Sequence, residues 1–140
     1  MSKSNTTETD ILAKLFNNTA ISWDANTNLW VALHTADPGE AGTATTSEAT
    51  YTGYARVSTA RTSGGWTVSS PSGVGTVTNA AAITFGACTA GTNTITFFSI
   101  VTTASGAGQI LYSGALTSSL SVSSGITPQF AAGALTITED

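Results

Sequence analysis

The 140-residue sequence predicts a mainly β fold, a compact antiparallel β-sandwich or partly closed barrel with one short N-terminal helix. Three observations carry that expectation. Roughly eight short segments of strand character recur at spacings near ten residues, set apart by Gly, Ser and Pro turns, the rhythm of sandwiches and barrels. Helical and strand patterns do not alternate, which excludes a parallel α/β sheet. The stretch 28–43, NLWVALHTADPGEAGT, places Leu29, Val31 and Leu33 on one side of an extended chain and Trp30, Ala32 and His34 on the other. Period-two spacing with apolar residues on both faces describes a buried strand, not an edge.

Taken in order, residues 1–7 are polar and read as an N-terminal arm that a partner would order, and residues 8–140 form a single β-rich domain. Residues 7–18 predict the helix. Thr7 or Thr9 can cap it, Glu8 and Asp10 suit its positive end, and Lys14 lies nearer the negative one. Ile11, Leu12, Leu15 and Phe16 form one apolar stripe expected to face inward, and Asn17-Asn18 ends the helix. After a connector containing Trp23 comes the strand just described, stopped at Ala36-Asp37-Pro38-Gly39. Proline cannot donate to a ladder there, and Asp37 can bond the backbone just ahead of it.

Residues 39–51 make a long loop, read as a binding arm or mobile flap. A second strand is expected over 54–60, a brief one over 66–69 after Gly64-Gly65, and a weak one over 74–78 after Pro71-Ser72-Gly73. Residues 81–85 follow, with Ala81, Ile83 and Phe85 on one face. The strongest β pattern is 94–102, TITFFSIVT, apolar on both faces. Residues 109–116 form the next strand, with Gly114 a candidate bulge. Residues 118–123 are weakly extended, and Pro128-Gln129-Phe130 leads into a last strand, 134–138, with Leu135 and Ile137 inward.

Charged residues make up only 9% of the chain, against about a quarter in ordinary globular domains. From residue 62 to residue 138 there is no Asp, Glu, Lys, Arg or His at all. Threonine, serine, glycine and alanine fill that run, and no window approaches the ~18 consecutive apolar residues of a membrane-spanning helix. A neutral, hydroxyl-rich surface has little long-range field and weak protection against self-association, which suits a protein docked in an assembly. The net charge of −4 with Lys3, Lys14, Arg56 and Arg61 scattered argues against nucleic acid. Cys88 stands alone, so no internal disulfide framework or zinc constellation is implied. The polar start lacks the apolar core of a signal peptide, and assembly in a cytoplasm is expected.

No constellation suggests catalysis, a cofactor or a metal. His34 is the only histidine and reads as a strand residue on a partly buried face, without the orienting acid and nucleophile of a triad. Asp24, Asp37, Glu40 and Glu48 surround the first strand without calcium-loop spacing and read as a solvated acidic rim. No glycine cluster has the lysine or helix of a phosphate loop. A binding role falls to aromatics beside glycine-flanked turns, where such rings reach a surface and can anchor an interface. The candidate protein-interface residues are Tyr51, Tyr54 and Trp66, with Lys3 on the arm; Trp30 reads as core.

LWVALHTADPGEAGT, GYARV at 53–57, AAITF at 81–85, FSI at 98–100, LYSGAL at 111–116 and FAAGALTITED from Phe130 together resemble a family of small phage structural proteins commonly labelled phage tail fibre proteins. The resemblance runs from about residue 9 to the C-terminus. It implies a virion component, and relatives of this kind also decorate capsids as cement proteins. A single domain without shaft repeats favours a capsid decoration protein on the outer shell, and the resemblance to cement proteins implies a homotrimer. Its partners would be the major capsid protein and its own copies, with no nucleic acid and no membrane. Its arm would clip onto neighbours by strand addition. A tail fibre or tail-tip subunit contacting the host is the alternative.

Overall fold

The computed structural model describes residues 2–139 and contains one helix, α1 (Asn5–Asn17), and nine strands among them. β1 (Asn28–His34), β2 (Val57–Ala60), β6 (Asn93–Val101) and β7 (Ile110–Val122) form an open four-stranded sheet in the order β2-β1-β6-β7. β3 (Trp66–Ser69), β4 (Gly75–Asn79) and β9 (Thr136–Glu139) form a second sheet, β3-β4-β9, and β5 (Ile83–Thr84) pairs with β8 (Gln129–Phe130) in a short ribbon. Every strand pairing is antiparallel and no sheet closes into a barrel. The mainly β, antiparallel architecture with a single helix is the one the residue pattern implied.

β1 is the central strand. It pairs with β2 through Leu29↔Thr59 and Val31↔Val57, and with β6 through Val31↔Ile100 and Leu33↔Phe98. Val31 and Leu33 face the main core, where they join Ile95, Phe98 and Ile100 of the same sheet. Trp66 and Ile137 of the second sheet and Ile83 and Phe85 from the ribbon region close that core from the other side. On the reverse face, Ala32 packs with Ala44, Val101 and Ile110 in a smaller cluster. Both faces of β1 are therefore covered, and the alternation of its side chains is why one strand serves two clusters. Asp37 stops it as its chemistry dictates, its Oδ1 accepting from the Gly39 N–H at 2.9 Å.

Several local expectations need correction. The second strand begins at Val57, because Tyr54 lies in a turn with its N–H bonded to the Tyr51 carbonyl. Segments 109–116 and 118–123 are one strand of 13 residues. Gly114 pairs regularly with Phe98, and the ladder slips instead between Ile95 and Phe97 and between Ile100 and Val101 of β6. Residues 81–85 keep only two in a ladder. The loop 39–51 is not a free flap: the Ala49 N–H donates to Leu33, Thr35 to Ser47 and Ala44 to Gly108, and Ala44 and Ala49 are buried. Loops 53 and 86–88 also touch backbone to backbone. A Cβ on Gly86 would collide with the Gly53 carbonyl, and one on Gly53 with that of Ala87, so the close approach requires glycine at both places.

Candidate interaction surface

α1 is seated by its polar residues. Ser4 caps it, its Oγ accepting from the Thr7 N–H at 3.3 Å, in place of the expected Thr7 or Thr9. The Ser4 and Thr7 hydroxyls both donate to the Ile110 carbonyl, at 2.6 and 2.7 Å. Gln109 Nε2 donates to Thr7 Oγ1 and Asp10 Oδ2, each at 2.9 Å, and Trp23 Nε1 donates to the same Asp10 oxygen. The start of β7 presents a carbonyl and an amide that need partners, and a buried polar group left unpaired is costly. The row Ser4, Thr7 and Asp10, spaced three apart, meets that need and so takes the inward face.

The expected inward apolar stripe is thereby turned outward. Leu12 is 56% exposed, Leu15 71% and Phe16 81%, with only Ile11 half-buried. The stripe lies in the last two turns of a helix that ends at Asn18 in the left-handed conformation, φ 53°. An exposed apolar helix face of this kind is the sort of surface that proteins use for interaction.

The segment before the helix is also placed. Ser2 forms an antiparallel bridge with Ser113, donating and accepting at 2.9 and 2.8 Å. Strand addition thus occurs on the chain's own β7, whose outer edge would otherwise be open there. Lys3 pairs with Glu139, which also accepts from the Tyr112 hydroxyl at 2.8 Å. These two bonds hold the Glu139 carboxyl below its ordinary pKa against its partial burial, and burial raises that of Tyr112.

The proposed interface residues are not gathered into one patch. Tyr51 is buried, donates to the Gly86 carbonyl at 3.0 Å and meets Tyr54 edge-on with centroids 5.5 Å apart. Tyr54 is half-buried and stacks on Phe85. Its hydroxyl accepts from the Leu33 N–H and donates to Glu48 Oε1 at 2.9 Å. Trp66 is buried in the wall of a groove between the two sheets, whose lining also includes Glu139, the partner of Lys3. Among the described residues its Nε1–H is the buried side-chain polar atom without a hydrogen-bond partner. The groove measures about 700 Å³, with Leu29, Ile100 and Leu111 on one wall and Val68, Val77 and Ile137 on the other.

Of the expected solvated acidic rim, Asp24, Asp37 and Glu40 are exposed, and only Glu48 is drawn inward. Glu48 forms a two-pronged pair with Arg56 at 2.6 and 2.8 Å, and the arginine also donates to the Thr103 and Gly106 carbonyls. Asp24 pairs with Arg61 at 3.6 Å and Glu40 accepts from Ser2. No three His, Cys, Asp or Glu side chains among the described residues converge as metal ligands would. His34 is fully buried between the Thr46 carbonyl at 2.8 Å and the Ser99 hydroxyl at 2.7 Å. Its burial pushes the imidazole pKa down, against the pull of the Thr46 bond. The Glu48–Arg56 clamp escaped the residue pattern, whose one clue was a lone arginine on an otherwise neutral strand.

A family model described as podophage GP4 fiber I protein gp80 matches residues 2–138. No curated protein matches the chain.

Proposed function

This chain belongs to the podophage GP4 fiber I protein gp80 family, and from that premise we propose that it is a non-enzymatic building block of a fibre-type appendage, working through contacts with neighbouring protein subunits. The family is one of phage fibre-type structural proteins, so the chain is a virion component. The observation that carries the reading is the orientation of α1: its polar row is consumed inside the domain and its Leu12, Leu15 and Phe16 face solvent. Absence of catalysis is part of the same proposal. The single histidine is sealed from solvent and both its ring nitrogens are engaged, which leaves it no route to a substrate.

Capsid decoration is the second reading, with the major capsid protein as partner and a homotrimer as the unit. The antiparallel fold, with no shaft-like repeat among the described residues, favours it. Copy number and position separate the two. Quantitative mass spectrometry and a cryo-electron-microscopy map of intact particles should find a small, tail-proximal set of copies. Hundreds of copies spread over the shell would replace the fibre reading with decoration. Neither location would end both.

A further inference from the structure

We propose that the apolar end of α1 in one copy docks into the inter-sheet groove of a second copy, a head-to-tail contact. Two large unpartnered apolar features stand on the described surface, and they are complementary. One is convex: Leu12, Leu15 and Phe16 on the last turns of a helix whose other face is tied down. The other is concave: the groove of about 700 Å³ between the sheets, none of whose walls comes from α1. Val68 on its wall is 76% exposed, an apolar side chain left in water on a two-sided β protein.

Polar groups match as well. Trp66 lines the groove with its Nε1–H buried and unpartnered, and a buried group in that state calls for an explanation. The last turn of a helix presents carbonyl oxygens that the helix itself cannot satisfy, together with the negative end of its dipole. Arg61 and Glu139 both line the groove, each already paired within the chain, with Asp24 and with Lys3. The guanidinium stays partly exposed beside Asp24, and the negative end of the helix suits it. Helix–helix docking, the isologous alternative, would leave the groove empty.

A head-to-tail contact leaves one helix and one groove free in every pair, so it propagates until a ring closes or a filament grows. The pairing rests on the reading of the chain as a self-associating virion subunit, and the test keeps the two apart. Three proteins are compared by analytical ultracentrifugation over a concentration series: the full chain, Phe16→Asp and Val68→Asp. Both side chains are largely in solvent, so the variants should keep the wild-type circular dichroism. The full chain should associate, and each variant alone should be monomeric. Mixing the variants should restore one intact helix–groove pair and stop at a heterodimer.

If Val68→Asp still associates as the full chain does, the groove is not the acceptor and the pairing is overturned while self-association survives. If the full chain stays monomeric at every concentration, the pairing fails, and self-association in isolation fails with it. Uptake of an apolar dye by that monomer would then assign the groove to a different occupant. Virion placement is read independently from the particle map.

Discussion

His34 has no exposed surface, and its ring bridges a backbone carbonyl and a serine hydroxyl. An imidazole held below its ordinary pKa binds fewer protons in the folded chain than in the unfolded one. That difference opens as pH falls below 6.5, the ordinary value. Stability then declines with pH, by at most about 1.4 kcal/mol per pH unit for one proton, until the folded-state ring itself protonates. Above that window the group contributes no pH dependence. Urea midpoints measured from about pH 7.5 to about pH 5, above the carboxylate range, should therefore fall on acidification. His34→Gln should lie lower throughout but show a flatter slope; an equal slope would assign the acid sensitivity elsewhere. Glu139 acts in a separate window. Its lowered pKa means stabilisation that is present above the ordinary 4.5 and lost as pH falls through the folded-state value.

At the scale of elements, α1 shows how a tertiary hydrogen-bond requirement overrides an apolar stripe. Hydrophobic spacing located the helix and its Asn18 stop, but it assigned the wrong face. The stripe Leu12, Leu15 and Phe16 is real, yet the start of β7 demands hydroxyl donors, and only Ser4 and Thr7 supply them. Replacing these two should therefore release the helix while the sheets remain folded. Ser4→Ala removes the cap at a cost of about 1 kcal/mol, and Thr7→Val leaves the Ile110 carbonyl short of a partner. Hydrogen exchange should accelerate across α1 in the double variant with little change in β1 and β6; global unfolding instead would make α1 part of the cooperative core. Strands were legible wherever alternation was strong, as in β1 and β6. They were misjudged where side chains are small and hydroxylated, as at 118–123 and 81–85, since such residues fit a ladder or a loop equally well. The candidate aromatics were misjudged for a related reason. Gly53 and Gly86 bring two backbones together, with Tyr51 buried and Tyr54 half-buried beside them, where a flanking glycine had suggested an exposed turn.

For the whole molecule, the charge distribution decides how association should respond to its surroundings. The run from residue 62 to residue 138 is uncharged, and three of the four cations are spent on pairs within the chain, Lys3 on Glu139, Arg56 on Glu48 and Arg61 on Asp24. Little field remains to steer or to hold a partner at a distance. Contacts made by Leu12, Leu15, Phe16 and the groove walls are apolar instead, and burial of apolar surface weakens on cooling and strengthens with excluded salts such as sulfate. Self-association of the full chain should therefore change little as sodium chloride rises from low to physiological strength, where an ion-pair interface would loosen by screening. It should tighten in sulfate and loosen in the cold. Sedimentation at matched protein concentration checks all three, and dissociation by sodium chloride alone would show that Arg61 and Glu139, and not the apolar surfaces, carry the contact.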